Sequence, residues 1–235
     1  KKIIKKINAT IICCLFNEAN LINSKLIKFI RDIKNTNQNL EKIIIDNNST
    51  DGTKEILKKI SNSNTQIIYQ NKNMGKGNSI LEGIKLSTGY YVVFQDADLE
   101  YSPNDYNKLL KKIIDNDLDA VFGSRIKNNT NYHVYYLNPL CALIFTKLIN
   151  FFYNGNFTDT ATGHKLIKSN ILKKLNLKSK SFALDFEIAI KLSKLNISYG
   201  EVSIDFKPRK YNQGKKIRLL DALKSLYVIF YNLIF

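Results

Sequence analysis

Cysteine, histidine, arginine and methionine are all scarce in this chain. The three cysteines, Cys13, Cys14 and Cys141, are an odd number without metal-ligand spacing. That disfavours a disulfide framework or a zinc site and favours a reducing compartment. Cys13 and Cys14 sit together in an apolar run and are expected in the core. The two histidines, His133 and His164, form no His-x-x-His pattern. Met74 is the only methionine, so a trimmed or processed N-terminus is expected. The basic opening, residues 1–6, is not followed by a signal-peptide hydrophobic region with a cleavage site. No run is long enough to be a good membrane span. Residues 135–153 are apolar and aromatic but interrupted by Asn138, Pro139 and Asn150, and residues 219–235 are short. No internal repeat or domain linker stands out, and one domain over 1–235 is expected.

What the chain has in excess is lysine. Lys and Arg number 36 against 20 Asp and Glu, a formal charge of +16. Such a balance favours phosphate-bearing or anionic-membrane partners. The lysines are spread throughout, as drift in composition would spread them. Arginine occurs only at Arg31, Arg125, Arg209 and Arg218. In a lysine-saturated chain, a retained arginine points to a need for a planar, bidentate fork. Arg31 is read as surface.

Strands are expected over residues 9–16, 42–45, 66–69, 90–95 and 120–122. Helices are expected over 21–33, about 53–60, 75–86 and 103–114. Continuous apolar strands alternating with helices predict an α/β fold, a mostly parallel sheet covered on both faces. In such sheets ligands bind at the carboxyl ends of the strands. Asn17, Asp46, Asn71 and Asp96 all fall at those ends. No Gly-x-Gly-x-x-Gly follows the first strand, which disfavours a dinucleotide fold. Gly75-Lys76-Gly77 lacks the earlier glycine and the Ser or Thr of a P-loop, so an ATPase is disfavoured too.

The segment Gln95-Asp96-Ala97-Asp98-Leu99-Glu100 follows the apolar run over 90–94. In extended backbone, alternate side chains share a face, so Asp96, Asp98 and Glu100 can converge. Three carboxylates held together repel one another unless a cation joins them. Their hard oxygens suit Mg2+ or Mn2+, which complete their shells with water and substrate phosphates. On its own an Asp-x-Asp is more often an acidic turn capping the next helix. The strand before it and the segments elsewhere favour the metal.

Those segments are Phe16-Asn17-Glu18, residues 46–53, residues 73–77, Gly123-Ser124-Arg125, residues 158–165, residues 182–187 and the basic loop over 209–217. In this order they resemble family 2 glycosyltransferases of the GT-A fold, in the branch of dolichyl-phosphate mannose synthase and bacterial polyprenyl-phosphate glycosyltransferases. The resemblance spans about residues 9–225. It implies an inverting enzyme that moves a sugar from a nucleoside-diphosphate sugar to an acceptor, here a polyprenyl phosphate. It implies that Glu18 and Asp46 lie near the nucleoside, that Asn17, Lys76 and Asp159 bind substrate, and that Asp96, Asp98 and Glu100 hold metal and diphosphate. Arg125 would meet the acceptor or its phosphate, and Arg209 with Lys215 would clamp phosphates. Asp98, Arg125 and Glu187 are the catalytic candidates. Two departures stand out: the family often has Asp at position 47 and Gly at position 48, where this chain has Asn47 and Asn48.

A lipid phosphate is already ionised and needs no general base. A sugar hydroxyl acceptor, as in cell-surface glycan synthesis, would need one, with Asp159, Asp185 and Glu187 as candidates. Glu187 could equally be a surface carboxylate paired with Lys191 at i+4. A sugar nucleotidyltransferase would share the sheet and the acidic site, but residues 10–18 lack its glycine-rich signature. A non-catalytic nucleic-acid module is disfavoured because carboxylates repel an unaccompanied polyanion. Residues 135–153 and 219–235 are candidate interfacial helices. A cytoplasmic protein, peripheral at the inner face of the membrane, is therefore expected.

Overall fold

The structure is a computed structural model that describes residues 8–19, 39–59, 65–98, 100–127, 137–209 and 219–234. The helix expected over 21–33, together with His133 and Lys215, lies outside those residues. Seven strands form one sheet: β1 (Asn8–Leu15), β2 (Asn39–Asp46), β3 (Thr65–Tyr69), β4 (Tyr91–Asp96), β5 (Ala120–Ser124), β6 (Lys165–Lys168) and β7 (Tyr199–Ser203). Their order is β3-β2-β1-β4-β6-β5-β7. Pairing is parallel except along both edges of β6, which runs against its neighbours β4 and β5. The sheet is therefore mostly parallel, as its continuous apolar strands require.

Side-chain alternation sorts the core into two layers. Ile12, Ile43, Ile45, Val92, Phe94 and Phe122 face one way. They meet Ile80 and Ile84 of α2 (Lys76–Leu86), Phe145 and Ile149 of α4 (Leu137–Tyr153), Ile188 of α6 (Leu184–Lys194) and Ile229 of α7 (Leu219–Ile234). Ile11, Cys13, Leu15, Ile44, Val93 and Val121 face the other way. They meet Leu57 of α1 (Thr53–Lys58) and Leu109, Leu110 and Ile113 of α3 (Tyr106–Asp115). Cys13 is buried in this second layer, and burial pushes its thiol well above the ordinary range. A short helix, α5 (Ser169–Lys174), follows β6.

Asparagine does work here that glycine does in most chains. Asn154, Asn176 and Asn196 have φ of 52°, 47° and 49° just past the ends of α4, α5 and α6. This is the left-handed cap position, where Asn is the commonest alternative to Gly. Asn48, at φ 61°, holds the same conformation in the loop after β2. Asn48 thus holds a conformation that glycine adopts at no steric cost.

No described helix is long and apolar enough to cross a membrane. Both candidate interfacial segments are helices, and neither is fully buried. Helices α4 and α7 pack together, with the rings of Phe152 and Phe230 5.8 Å apart and the Tyr153 hydroxyl donating to the Ile229 carbonyl. Beyond that seam Phe151 is 78% exposed, Ile234 77%, Tyr227 66% and Leu220 64%.

Candidate active site

The loops at the carboxyl ends of β1, β2 and β4 form the floor of the site. Asn17, at φ 52°, takes the Ser49 hydroxyl on its N–H and returns its side-chain oxygen to the Thr50 N–H, each at 2.9 Å. Glu18 N–H donates to the Thr53 hydroxyl at 3.0 Å, and Ala19 N–H to Asp51 at 2.9 Å. Asp46 is fully buried, and both its oxygens face the Ser49 N–H, at 3.1 and 3.3 Å. Asn47 uses both halves of its amide. Its Nδ2 donates to Asn73 at 2.9 Å and its Oδ1 accepts from the Met74 N–H at 2.7 Å. A carboxylate could accept there but not donate. Asn47 therefore ties the β2 loop to the turn that launches α2.

That turn carries Lys76 into the site. Gly75 has φ 88°, and a Cβ there would lie 2.4 Å from the Lys180 carbonyl oxygen. Only glycine lets the chain pass so closely. Lys76 Nζ then lies 2.9 Å from Asp96 Oδ1, 3.0 Å from Asp96 Oδ2 and 3.5 Å from Asp185 Oδ2. Asp185 in turn meets Lys165 Nζ at 2.5 Å. The result is a ladder of alternating charge, Asp96–Lys76–Asp185–Lys165, half-buried at its Asp96 end and fully buried at Lys165. Burial alone would lower the Lys76 pKa, but Asp185 and Asp96 outweigh it and hold it well above its usual value. Burial alone would raise Asp185, yet Lys165 and Lys76 hold it below the usual carboxylate range.

The second cluster surrounds Arg209. Its Nη1 is 3.3 Å from Glu18, its Nη2 3.2 Å from Asp98 and its Nε 3.6 Å from Glu100. The strand-like stretch that delivers it is pinned beside the acidic segment. Arg209 N–H donates to the Glu100 carboxylate at 2.8 Å, Lys207 N–H to the Glu100 carbonyl at 2.9 Å, and Phe206 bridges to Tyr101. Asp98 is pushed up to about 7, first by burial and then by Asp96 and Glu100, with Arg209 pulling the other way.

Asp96, Asp98 and Glu100 do not share one face. Strand β4 ends at Asp96, and the backbone turns directly after it, so alternation stops where it was needed. Asp96 looks toward Lys76, while Asp98 and Glu100 look toward Arg209. Among the described residues no three His, Cys, Asp or Glu side chains surround a point where a metal ion could sit. The donor set still suits a divalent cation. All its atoms are hard oxygens, the donors that Mg2+ and Mn2+ prefer.

Arg125 and Asp159 form a third unit. Arg125 Nε and Nη2 grip the two Asp159 oxygens at 2.7 and 2.8 Å, and the Arg125 N–H adds a bond at 3.1 Å. The planar fork read from the rarity of arginine is present, and a carboxylate of the same chain meets it here. The guanidinium also stacks over Phe206, 5.1 Å from the ring centre. Asp159 is positioned by Glu201, which accepts the Thr158 N–H at 2.9 Å and the Asp159 N–H at 3.2 Å.

Glu187 lies apart from these groups. It is buried and accepts the N–H groups of Lys178 and Ser179 at 2.9 and 2.7 Å. It also pairs with Lys191 at 2.7 Å, the i+4 partner, although the pair is not on an exposed face. Burial would raise its pKa, but Lys191 and the Ser179 and Lys178 amides hold it below the usual range.

Three residues beside the acidic segment were not singled out by sequence. Gly163 N–H donates to the Tyr101 hydroxyl at 3.1 Å. A Cβ on Gly163 would fall 2.2 Å from Asp96 Oδ2. His164 is sandwiched between Tyr101 and Tyr106, with ring centres 5.7 and 5.0 Å away, and burial pushes it down to about 3. It is a neutral packing group. Lys165 is fully buried and ends the charge ladder, with its ammonium also donating to the Thr162 carbonyl. The segment over 158–165 was legible. The four-residue strand that aims Lys165 was too short to leave a period. Gly163→Ala is expected to cut turnover about 100-fold, the penalty of a misplaced reacting group. The Asp96 carboxylate cannot stay on Lys76 with a methyl group in its place. Turnover within a few-fold of the parent would show that the Asp96–Lys76 pair is dispensable.

The family model described as "Glycosyl transferase family 2" matches residues 10–175. The chain belongs to that family. As a glycosyltransferase it is similar to an uncharacterised protein of Methanocaldococcus jannaschii, 26% identical over 90% of this chain and 94% of the relative. It is also 28% identical to UDP-N-acetylglucosamine–dolichyl-phosphate N-acetylglucosaminyltransferase of Methanococcus voltae, over 85% of this chain and 89% of that one. Among solved structures it resembles glucosyl-3-phosphoglycerate synthase from Mycobacterium tuberculosis in complex with Mn2+, UDP-glucose and phosphoglyceric acid. The TM-score is 0.67 at 15% identity, over 97% of this chain and 80% of that one. The glycosyltransferase has the GT-A fold, and each of the three charged units above includes a residue at or just after the carboxyl end of a strand: Asp96 and Asp98 after β4, and Arg125 after β5.

Proposed function

We propose that this glycosyltransferase moves a sugar from a nucleoside-diphosphate sugar to a polyprenyl phosphate of the dolichyl type, with inversion and with help from Mg2+ or Mn2+. The observation that carries the acceptor is the state of the three carboxylates that could serve as a general base. Asp159 is gripped by Arg125, Asp185 lies between two lysines, and Glu187 is saturated by amides and Lys191. Asp185 and Glu187 are also held below the usual carboxylate range, which makes them poor proton acceptors. A phosphate acceptor needs none. The similarity to the dolichyl-phosphate enzyme of M. voltae supports the same acceptor.

In this reading an acceptor phosphate oxygen attacks the anomeric carbon as the bond to the donor diphosphate breaks. One displacement inverts the centre. Asn17, Glu18 and Asp46 border the nucleoside, and Lys76 and Arg209 face the diphosphate with fixed positive charge. Lys215 would add to that clamp. Asp98 and Glu100, with Asp96 beside them, would hold the divalent ion, whose charge offsets that on the leaving diphosphate. Arg125, held by Asp159, would border the acceptor.

The exposed faces of α4 and α7 suit the surface of a bilayer. Leu220, Leu223, Tyr227, Phe230 and Ile234 lie along one helix, a pattern that fits headgroup-level docking rather than spanning. The decisive assay supplies labelled UDP- and GDP-sugars with Mn2+ and either a polyprenyl phosphate or free glycans. Label extracted with the lipid, and stable only while its phosphate ester is intact, supports the proposal. Transfer to glycans alone would make a hydroxyl acceptor the correct reading. The protein should also sediment with anionic vesicles at low salt and be partly released at high salt. Loss of that sedimentation in Tyr227→Asp/Phe230→Asp is expected, and unchanged sedimentation would remove α7 from the membrane surface.

A further inference from the structure

We propose that Arg209 is a resident cation of the acidic cluster, which a divalent ion must displace before it can bind. The inference rests on the metal-assisted reading above. Two arginines of this chain hold their carboxylates in contrasting ways. Arg125 holds Asp159 through two short, parallel bonds of 2.7 and 2.8 Å. That is the range of strong charge-assisted pairs. Arg209 instead spreads three nitrogens over three carboxylates, at 3.2, 3.3 and 3.6 Å. Each contact is long, and the buried Nε makes no hydrogen bond. Arg209 therefore supplies positive charge to the cluster without being locked into it.

Occupancy of the cluster explains why the described carboxylates do not enclose a metal position. Glu18, Asp98 and Glu100 are each turned toward a different nitrogen of one guanidinium. A guanidinium keeps its charge at any ordinary pH, so its competition with a divalent ion is permanent. The two cannot sit on the same carboxylates without strong repulsion. The backbone of Arg209 is independently tied down by the Arg209 and Lys207 N–H groups on Glu100. Displacement is thus a swing of the side chain, with its stretch of backbone left in place.

A donor diphosphate gives the displaced fork somewhere to go, since phosphate oxygens match it bidentately. Metal and nucleotide should then bind with positive coupling, and Arg209 is the element that couples them. A metal alone must evict Arg209 into solvent. A metal arriving with a diphosphate trades one partner for another.

The test is Mn2+ binding followed by electron paramagnetic resonance of the free ion, on the full protein without nucleotide and then with UDP or GDP. Without nucleotide, Arg209→Gln should bind Mn2+ about tenfold more tightly than the parent, the lower end for close charge pairs out of water. Arg209→Lys, whose single ammonium cannot face three carboxylates, should show a smaller gain, and it keeps the test available if the Gln variant fails to fold. The gain should vanish in Arg209→Gln/Asp98→Asn, which assigns it to this cluster. Nucleoside diphosphate should tighten Mn2+ binding in the parent far more than in Arg209→Gln. Nucleotide-dependent Mn2+ binding in the parent with no gain in either single variant overturns the role of Arg209 alone. No Mn2+ binding in the parent even with UDP or GDP overturns the metal-assisted reading, and this inference with it.

Discussion

Asp98→Asn should lower sugar transfer by at least about 100- to 1000-fold, the range seen when one fixed group facing transition-state charge is lost. The melting temperature should not fall with it. Asp98 sits against Asp96 and Glu100, and burial with those neighbours pushes it up to about 7. A carboxylate whose pKa is raised on folding does not stabilise the folded chain at neutral pH. Arg209 keeps Glu18 and Glu100 when Asp98 is neutralised. Kinetics at saturating and limiting Mn2+, beside a thermal melt, separate the two effects. Activity within a few-fold of the parent at limiting metal would end the assignment of Asp98.

Asp185→Asn should do the opposite, acting first on stability. It leaves Lys165, fully buried, and Lys76, mostly buried, without the carboxylate between them. Removing one partner from a buried ion pair costs about 3–5 kcal/mol because the remaining charge is stranded. A second substitution, Lys165→Met, should recover much of that loss by removing the stranded charge. The pH dependence has a defined sign. Lys165 and Lys76 hold Asp185 below the usual carboxylate range in the folded chain. Its contribution is therefore complete above about pH 4, the unfolded value, and is lost as pH falls through the lower folded value. The parent's advantage over Asp185→Asn should shrink in acid. Urea melts at pH 7 and below pH 4 measure it, and an advantage that grows in acid would contradict the ladder.

Much of the fold was legible because its strands are continuous apolar runs with helices between them. Strands β2 and β4 end at Asp46 and Asp96 as the sequence suggests, while β1 ends at Leu15 and leaves Asn17 in the loop that follows. Strands β6 and β7 were not recognised. Tyr199–Ser203 has no clean alternation, and Lys165–Lys168 begins and ends on lysine. A buried lysine in a four-residue strand reads as surface until Asp185, far along the chain, is brought beside it. The site was legible as residue types and not as partnerships. Sequence placed Asp96, Asp98 and Glu100 on one face because extended backbone alternates, and the turn after Asp96 broke that rule. It gave Arg125 and Asp159 separate tasks, whereas they occupy each other. Helix ends were hidden for a compositional reason. Asparagine at 154, 176 and 196 fills positions that glycine would have announced.

The reversed strand β6 has a consequence for how the chain matures on the ribosome. Strands β1 to β4 pair with neighbours already synthesised, so the first half of the sheet can form as it emerges. Strand β5 cannot join, because its only link to β4 is β6. The intervening residues 125–164 take about 2–8 s at ~5–20 residues per second. During that interval β4 presents an open hydrogen-bonding edge, the surface on which newly made chains stick to one another. Gly163, which seats Asp96, arrives only at the end of that wait. The open edge of β4 is thus covered in the same step of synthesis that seats Asp96, while Asp185 and Arg209 follow later.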